Sequence, residues 1–448
     1  MDGRVGAPGA PTPVPGPRGL EHLQVMNLAA GDTRAAIDRL RERYGEAFVF
    51  GFGAIRFHWL LGADANRFVL QSAASSFRNR EAYRFLEPIG GPTALISSDE
   101  PEHLRRRRRV QPAFHRRHHE AWTEGALAGF ESWLETALAR GRFALQPSLR
   151  PAVLDVVLEV LLGSGTRERY PQLRRDLASM MSFANQPFLA QLFKVAVPGS
   201  PWWRFTAARK RVDAALYAEI ARRRADPSSP GEGGVLSLLL FGGDEADGLS
   251  DAELRDQAVS LVAAGFDTTT AAITWCAWLL CDGDLRERVE AAVRASPDPV
   301  EATRLPEVDA LWREALRLYP PAPAILRVSA ESVEWRGMLL PPGSLVGLST
   351  FHTHRDPAYW REPASARLER WLEPEGEWAA PRDPFTYLPF GYAARSCIGA
   401  GLARTLGGAW LSVALRRARW RALEPESVKP MGTTLSPPKG LPVEFQRA

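Results

Sequence analysis

The sequence predicts a mainly helical protein with small β-sheets, that is, a chain of the α+β class. Apolar residues at helical spacing dominate from about residue 20 onward. One such pattern is unusually long and extends from Ser250 to about Leu280. Short strand-like runs occur near residues 47–61 and 326–349. We therefore expect a single large domain crossed by a long central helix, with its strands confined to small sheets.

Composition places the chain among ordinary globular proteins. Its 448 residues are 45% hydrophobic and 24% charged, and the formal net charge of +4 argues against a dedicated nucleic-acid binder. The three cysteines have no paired spacing, which predicts neither a disulfide framework nor a structural zinc site and fits a reducing cytoplasm. No uninterrupted apolar run reaches the length of about 18 residues that would predict a membrane helix.

The N-terminal segment differs from the remainder of the chain. Residues 1–19 are rich in Pro and Gly and lack the apolar core of a signal peptide. We expect them to form a disordered arm, followed by one domain over residues 20–448. Together with the absence of an apolar span, this predicts a soluble protein without a transmembrane anchor.

The middle of the long helical pattern contains residues that disfavour a buried helix. Ser250 and Glu253 have the spacing of a capping box, and at about 1.5 Å per residue the helix would extend roughly 45 Å. Its centre reads A-G-F-D-T-T-T and contains Gly265, Asp267 and Thr268. A kink with threonines bonding back to the preceding turn is one interpretation. Several unfavourable residues in one stretch also indicate a functional site.

Five consecutive arginines, residues 105–109, form the most basic stretch of the chain. In the predicted helix, His103 and Arg107 share one face, whereas Arg105 and Arg109 point the opposite way. A solvated basic face is the default interpretation of such a run. Nucleic-acid binding is an alternative, although the patch is short and the net charge is low.

Cys397 lies in a glycine-containing turn that leads into a helical pattern, unlike Cys276 and Cys281. A lone cysteine is most often a small buried hydrophobe. A thiol before a helix N-terminus, with Arg395 two residues earlier, also suits a metal-bound thiolate because positive charge favours the anion. The residues by themselves leave both interpretations open.

The segment around Cys397 carries a recognisable pattern. Phe390, Arg395, Cys397 and Gly399 have the spacing F-x-x-x-x-R-x-C-x-G. This resembles the haem-binding loop of the cytochrome P450 family and implies the fold of that family. The resemblance further implies that Cys397 is the axial iron ligand, and that Phe390 and Gly399 belong to the loop that binds haem b, iron protoporphyrin IX. The family has Gly where this chain has Ala393.

The run A-G-x-D-T-T in the long helix resembles the oxygen-binding segment of the same family. The resemblance implies that Gly265 makes room beside the iron. It also implies that Thr268 hydrogen-bonds dioxygen or its water, and that Asp267 relays protons inward. Proton delivery is required because cleavage of dioxygen releases one of its oxygen atoms as water.

The resemblance also implies a set of cofactor-binding cations. His103, Arg107, Arg327 and Arg395 match the positions that hold the haem propionates. Propionates are anions, so they require cationic partners once they are removed from water. On this third interpretation of the arginine run, its outward side chains would face an acidic redox partner.

The spacing E-x-x-R at Glu314–Arg317 is uninformative alone, because most such pairs are surface contacts of little worth. It recurs at Glu81–Arg84, Glu102–Arg105, Glu219–Arg222, Glu301–Arg304 and Glu444–Arg447. Arg317 is followed by L-Y-P-P-A-P, as in the family, and L-E-R-W comes about 50 residues later. The resemblance implies that Glu314, Arg317 and Arg370 form a buried structural network that fixes the irregular segment 371–390.

These observations predict a haem-thiolate monooxygenase that hydroxylates or epoxidises a lipophilic small molecule, such as a terpenoid, a fatty acyl chain or a polyketide. The aromatic segment 183–205 would line the pocket, although ordinary helix packing explains it equally well. Since no flavin or ferredoxin domain is evident, electrons would come from separate proteins, such as a ferredoxin and its reductase. A peroxide-using or isomerising haem-thiolate enzyme is an alternative, against which Asp267 and Thr268 argue. A haem-free helical binding protein is the other.

Overall fold

The computed structural model describes residues 11–52, 55–163, 165–184, 197–226, 233–241, 248–424 and 434–448. The chain divides into two compact units. Unit 1 comprises residues 1–84, 324–360 and 381–388, and unit 2 comprises residues 85–323, 361–380 and 389–448. Residues 1–10 of the predicted arm lie outside the described part of the chain, so the arm and the domain boundary at residue 20 stay predictions.

Unit 1 contains two sheets. Their strands are β1 Thr12–Pro13, β2 Ala47–Phe52, β3 Ile55–Leu60, β4 Phe77–Arg78, β6 Ala324–Ser329, β7 Val333–Trp335, β8 Met338–Leu340 and β9 Leu345–Ser349. The larger sheet has the strand order β2–β3–β9–β6–β4, in which only β3 and β9 run parallel, and the smaller sheet has the order β1–β8–β7. The strand-like runs predicted near residues 47–61 and 326–349 are therefore strands.

The helices of unit 1 are short and cover the larger sheet. They are α1 Gly19–Gly31, α2 Thr33–Tyr44, α3 Ala63–Arg67 and α16 Thr350–Thr353. Asp32 caps α2 by accepting hydrogen bonds from the backbone N–H groups of Arg34 and Ala35. Val25 and Leu40 are fully buried against Phe48 of β2, so this unit has its own apolar core.

Unit 2 contains most of the helices. They are α4 Glu87–Gly90, α5 Glu102–Val110, α6 His119–Arg140, α7 Leu145–Leu162, α8 Thr166–Arg169, α9 Leu173–Ala184, α10 Pro201–Ala225, α11 Gly234–Phe241, α12 Asp251–Leu279, α13 Gly283–Ala295, α14 Pro299–Ala302, α15 Pro306–Leu318, α17 Glu369–Leu372 and α18 Ala400–Arg417. A small antiparallel sheet has the order β10–β11–β5, with β5 at Arg142–Ala144, β10 at Ala418–Ala422 and β11 at Pro442–Arg447. The mainly helical α+β class predicted from the sequence is confirmed.

Helix α12 is the predicted long helix and the central element of unit 2. It begins with the expected capping box, in which Ser250 and Glu253 satisfy one another's backbone N–H groups. Residues 269–277, near its C-terminal end, are buried on all sides. There Trp275 stacks on Tyr319 with ring centroids 3.9 Å apart, and its indole N–H donates to the carbonyl of Leu435 at 2.9 Å. These contacts fix the long helix between α15 and the C-terminal segment.

Helix α18 approaches its neighbours closely because of two glycines. A Cβ at Gly407 would lie 2.3 Å from the ring of Trp312, and one at Gly408 would lie 2.4 Å from the carbonyl oxygen of Thr303. Any larger side chain would force α18 away from α15. Among the helices that the structure describes, none is long and apolar enough to cross a membrane.

Candidate functional site

Cys397 lies in a tight turn between Phe390 and the start of α18. Its backbone N–H donates to the carbonyl of Phe390 at 2.7 Å, and Gly399 is the residue that precedes the first turn of the helix. Ala393 has a φ of 48°, which is the left-handed conformation that glycine adopts most easily. The loop thus accommodates Ala393 by placing alanine in a glycine-like conformation, with some backbone strain.

The Cys397 thiol is accessible, yet protein atoms surround it closely. Desolvation by these atoms raises the pKa of the thiol, whereas the backbone N–H of Gly399 and the charge of Arg107 act in the opposite direction. A group at the floor of a cavity has this combination of properties. An iron ion would supply the positive charge needed to hold the sulfur as thiolate.

The other two cysteines have different environments. Cys276 is fully buried in α12, and burial raises its pKa. Cys281 is partly buried, and desolvation raises its pKa to about 11. Both thiols behave as small apolar groups in the core. Cys397 is therefore the cysteine of this chain that is suited to bind a metal.

Arg107 and Arg395 connect the arginine-rich helix with the cysteine loop. Arg107 donates to the carbonyl of Ser396 at 2.8 Å and to its hydroxyl at 3.2 Å. Arg395 donates to the carbonyl of Ser98 at 2.7 Å and forms a short ion pair with Glu100. Two predicted cofactor-binding cations thus lie close to Cys397 in the fold, although α5 and the loop are far apart in sequence.

His103 belongs to the same cluster. Its ring is buried, and Nδ1 lies 3.1 Å from Oε1 of Glu100. Desolvation and the charge of Arg395 lower the pKa of His103 to about 4. The ring is therefore neutral at pH 7 in this structure. Glu100 was not singled out from the sequence, although it lies only three residues before His103 and one turn of chain could bring them together.

Arg327, the fourth predicted cofactor-binding cation, belongs to unit 1. It lies on β6, is 9% exposed, and donates from Nη1 to the carbonyl of Leu326 at 2.7 Å. Its predicted contact with a haem propionate stays a prediction.

One face of α12 is accessible in the middle of an otherwise buried helix. Ala264 is exposed, and Gly265 and Thr268 are partly accessible. A Cβ built at Gly265 would meet Val157 Cγ1 at 3.8 Å, an ordinary van der Waals distance, so a methyl group would fit there without displacing a neighbour. An accessible stretch at the centre of a core helix is the property expected of a cavity wall.

The hydroxyl groups and the acid of this segment have partners. Thr268 donates to the carbonyl of Ala264 at 2.6 Å, as the interpretation of threonines bonding back to the preceding turn expects. Asp267 forms an ion pair with Arg150 of α7, with Oδ1 and Nη1 2.9 Å apart. Arg150 was not predicted, because residues that meet through packing of α7 on α12 leave no local pattern in the sequence.

Glu314, Arg317 and Arg370 meet in the interior of unit 2. Arg317 donates to both carboxylate oxygens of Glu314, at 2.7 and 2.9 Å, and Nε of Arg370 lies 3.2 Å from the same carboxylate. All three side chains are buried. The indole N–H of Trp371 and the backbone N–H of Arg367 also donate hydrogen bonds to the Glu314 carboxylate, at 3.0 and 2.9 Å.

This network also fixes the chain that follows α15. Arg317 donates to the carbonyls of Pro363 and Ser365 at 2.7 and 2.9 Å, so a planar guanidinium satisfies groups that a lysine could not reach together. The trio is thus part of the framework of unit 2.

The carboxylate of a second E-x-x-R pair is also buried, because Glu219 is 1% exposed, whereas its partner Arg222 is 32% exposed. Glu219 accepts from Arg222 at 2.9 Å and from Arg223 at 2.7 Å. Arg223 is fully buried and donates to the hydroxyl of Ser237 at 2.6 Å and to the carbonyl of Leu162. Spacing alone does not distinguish this pair from the exposed Glu102–Arg105 pair, because only packing decides which is buried.

The fold is mainly α. Its site has two parts, an accessible cysteine thiol close to a cluster of basic residues, and a central helix with an accessible stretch at its middle. The family model for cytochrome P450 matches residues 10–445. Cytochrome P450 139 of Mycobacterium tuberculosis is 30% identical over 386 residues, which cover 85% of this chain and 88% of that protein. Cytochrome P450 135B1 of the same organism is 31% identical over 401 residues, covering 87% and 81%. Neither name states a substrate.

Solved structures show the same architecture. Retinoic-acid-bound cyanobacterial CYP120A1 superposes with a TM-score of 0.85 at 25% identity and covers 98% of this chain and 100% of that one. The haem domain of cytochrome P450DA superposes with a TM-score of 0.83 at 21% identity over 98% of both chains, a similarity of fold alone. The chain belongs to the cytochrome P450 family. It is accordingly a haem-dependent monooxygenase with the P450 fold.

Proposed function

We propose that the protein binds haem b through Cys397 and inserts one oxygen atom into a lipophilic small molecule, with electrons supplied by a separate ferredoxin and its reductase. The observation that carries this proposal is the Cys397 thiol, which is accessible, enclosed by protein, and close to the charge of Arg107. When bound through a cysteine thiolate, haem activates dioxygen and transfers one of its oxygen atoms to a C–H or C=C group.

The residues present fit this cofactor. Cys397 would supply the thiolate ligand, and Phe390 and Gly399 would shape the loop around it. His103, Arg107, Arg395 and, from unit 1, Arg327 would hold the two carboxylates. Three of these cations lie in one cluster of unit 2, which supports the assignment. The fourth rests on the family resemblance.

Residues of α12 would manage protons when the cofactor is bound. Thr268 has a hydroxyl that can release its bond to Ala264 and donate to a bound ligand instead. Asp267 has a carboxylate oxygen that can accept a proton and pass it inward, and the ion pair with Arg150 would hold this carboxylate away from the cavity until it is needed. By the family resemblance, the lack of a side chain at Gly265 would make room beside the cofactor.

The residues that the family resemblance would place at the pocket support an apolar substrate. Leu261, Ala263 and Ala264 of α12 are at least partly accessible. Of the aromatic segment 183–205, residues 185–196 lie outside the described part of the chain. Phe183, Trp202 and Phe205 stack on one another with centroids about 5 Å apart, which supports ordinary helix packing for these three rings. Trp203 is 43% exposed.

The basic surface proposed for the redox partner is smaller than the sequence indicated. Arg105 pairs with both Glu102 and Glu253, and Arg106 also donates to Glu253 at 2.8 Å. These arginines attach α5 to the start of α12. Arg108, Arg116 and Arg117 are exposed and remain candidates for contact with an acidic electron donor. Cysteine usage without disulfides supports a cytoplasmic location for both proteins.

The absorption spectrum of the reduced, carbon-monoxide-bound protein tests the proposal. We expect the red-shifted Soret band of thiolate ligation in the wild type and its loss in Cys397→Ala, with Cys281→Ala as the matched cysteine control. Protein that stays colourless with an adequate haem supply would refute the assignment. Turnover with peroxide but none with a ferredoxin, its reductase and dioxygen would replace the monooxygenase with a peroxide-using enzyme.

A spectral titration identifies the substrate class. Apolar ligands that enter the site displace iron-bound water and shift the Soret band, so a panel of terpenoids, fatty acids, polyketides and retinoic acid can be ranked by affinity. We include retinoic acid because CYP120A1 was solved with this apolar acid bound. If only polar members of a wider panel shift the band, the assignment to a lipophilic substrate is wrong.

A further inference from the structure

Glu100 lies between two of the predicted cofactor-binding cations. One carboxylate oxygen is 3.1 Å from Nδ1 of His103, and the other forms a short ion pair with Nη2 of Arg395. Arg395 also donates to the carbonyl of Ser98 at 2.7 Å. A single carboxylate thus contacts both α5 and the cysteine loop. None of the roles assigned above uses it.

Glu100 is ionised in this arrangement. Desolvation would raise its pKa, but the hydrogen bond and charge of Arg395 outweigh desolvation, so the pKa of Glu100 falls. An ionised carboxylate only accepts hydrogen bonds. Nδ1 of His103 therefore carries a proton and donates a hydrogen bond to Glu100. In the neutral ring, Nε2 then carries a lone pair.

The charge of the His103 ring depends on what lies beside Nε2. The charged groups that act on the ring are Arg395 and Arg107, which oppose a positive ring, and Glu100, which favours it. Without a further anion the ring is neutral and Nε2 would repel a carboxylate. A carboxylate placed at Nε2 favours the doubly protonated ring, which would then donate to one carboxylate from each nitrogen.

We propose that Glu100 is a positioning residue for the cofactor. It orients the His103 ring through Nδ1 and the Arg395 guanidinium through Nη2, so that both cations face a haem carboxylate in a fixed geometry. The principle is that of a carboxylate that orients a metal-bound histidine from behind. This inference rests on the proposed function, because it presupposes that haem carboxylates bind at this cluster.

Haem transfer tests the role of Glu100. Haem-loaded protein is mixed with excess apomyoglobin, and the rate of haem loss is followed by the Soret change. We expect Glu100→Gln to lose haem about tenfold faster than the wild type. Glu102→Gln is the matched control, because Glu102 is 52% exposed and pairs only with Arg105 and Arg106 in the contacts described. It removes the same charge and should leave the rate unchanged.

A double-mutant cycle shows whether Glu100 acts through His103. In a His103→Phe background, Glu100→Gln should accelerate haem loss by a smaller factor than in the wild type. The haem reduction potential should also shift to more positive values in Glu100→Gln but not in Glu102→Gln, since a carboxylate near the cofactor is lost. Circular dichroism confirms that each variant retains the helical content of the wild type. If His103→Phe fails to fold, the shift in haem reduction potential of Glu100→Gln relative to Glu102→Gln is used instead to test the role of Glu100.

Two results would overturn the inference. Unchanged haem loss in Glu100→Gln would mean that the carboxylate does not position these cations. Slower haem loss would mean that Glu100 competes with the haem carboxylates for Arg395 instead of supporting them. Failure of the proposed function looks different, because then the wild type itself would show no thiolate-type Soret band and no haem to transfer.

Discussion

At the scale of single residues, Ala393 and Cys397 show how one loop combines strain with accessibility. Ala393 has a φ of 48°, a conformation that costs an L-residue about 1–2 kcal/mol, and Gly391 in the same loop has a φ of 72°. The hydrogen bond from Cys397 to Phe390 closes the turn regardless. The substitution of alanine for the family glycine therefore changes the energy of the loop and leaves its path intact.

Ala393→Gly should stabilise the protein. Relief of the left-handed strain exceeds the extra backbone entropy that glycine has in the unfolded chain, and we expect a net gain of about 0.5 kcal/mol in the free energy of unfolding. Urea unfolding followed by circular dichroism measures it. Ala394→Gly is the control, because Ala394 has no positive φ and the same substitution should destabilise. A loss of stability in Ala393→Gly would show that the loop is not strained at this position.

At the scale of elements, the segment after α4 is docked on α12 by a cluster around Asp256. This carboxylate accepts from the backbone N–H and the hydroxyl of Thr93, at 3.0 and 2.7 Å, and from Arg255 at 2.9 Å. The side chain of Gln257 donates to the carbonyl of Thr93 at 2.7 Å. Two consecutive residues of the long helix thus bind Thr93, one through its backbone N–H and hydroxyl and the other through its carbonyl.

Gly91→Ala should detach this segment. The φ of Gly91 is 90°, and a Cβ there would lie 2.0 Å from Oδ1 of Asp256, which Thr93 and Arg255 hold in place. Strain and lost hydrogen bonds together should cost about 2–4 kcal/mol, measured by urea unfolding. Gly125→Ala in α6 is the matched control, because a Cβ at Gly125 meets no atom within 4 Å. Because Gly125 lies in a helix, Gly125→Ala should raise the free energy of unfolding by up to about 1 kcal/mol. Equal effects of the two substitutions would exclude the docking role of Asp256.

At the scale of the whole molecule, buried ion pairs connect helices of unit 2 that are far apart in sequence. The Glu219–Arg223 pair joins α10 to the end of α7 and to α11, and the Glu314–Arg317 pair joins α15 to α17 through Arg370. Buried charges of this kind add little net stability when complete, but removing one partner leaves a charge without compensation in the core. Removal of either partner should therefore destabilise the entire unit.

The Glu219 network should make unfolding sensitive to acid. Desolvation opposes ionisation, but the hydrogen bonds and charges of Arg222 and Arg223 prevail and lower the pKa of Glu219 to about 2. Because the folded pKa is depressed, the contribution is present above the unfolded value of about 4.3 and is lost as pH falls toward 2. The free-energy difference between the wild type and Glu219→Gln should therefore be largest at pH 6 and shrink below pH 4.

Urea unfolding at pH 6, 4 and 3 measures this difference. Glu135→Gln serves as the surface control, because Glu135 pairs with Arg417 and Arg447 while its side chain is 47% exposed. Its effect should be small at every pH, since exposed pairs are screened by solvent. A Glu219→Gln difference that does not change between pH 6 and pH 3 would show that the carboxylate is not held ionised by its arginines.

The sequence by itself determined what short-range physics controls. Helical periodicity and the capping box at Ser250 predicted the central helix, because such signals involve residues within a few positions of each other. Family resemblance supplied Cys397 and the charged trio. In each case the informative residues lie in one continuous stretch or in a fixed motif.

Tertiary structure alone decided which residues meet across the fold. The ion pair of Asp267 with Arg150, the contact of Glu100 with Arg395, and the docking of Thr93 on Asp256 join segments distant in sequence. The buried E-x-x-R pair Glu314–Arg317 was not distinguishable by spacing from copies with an exposed member, such as Glu219–Arg222. The physical reason is that burial and long-range pairing depend on how helices pack, and a single chain carries no local periodicity that records its packing partners.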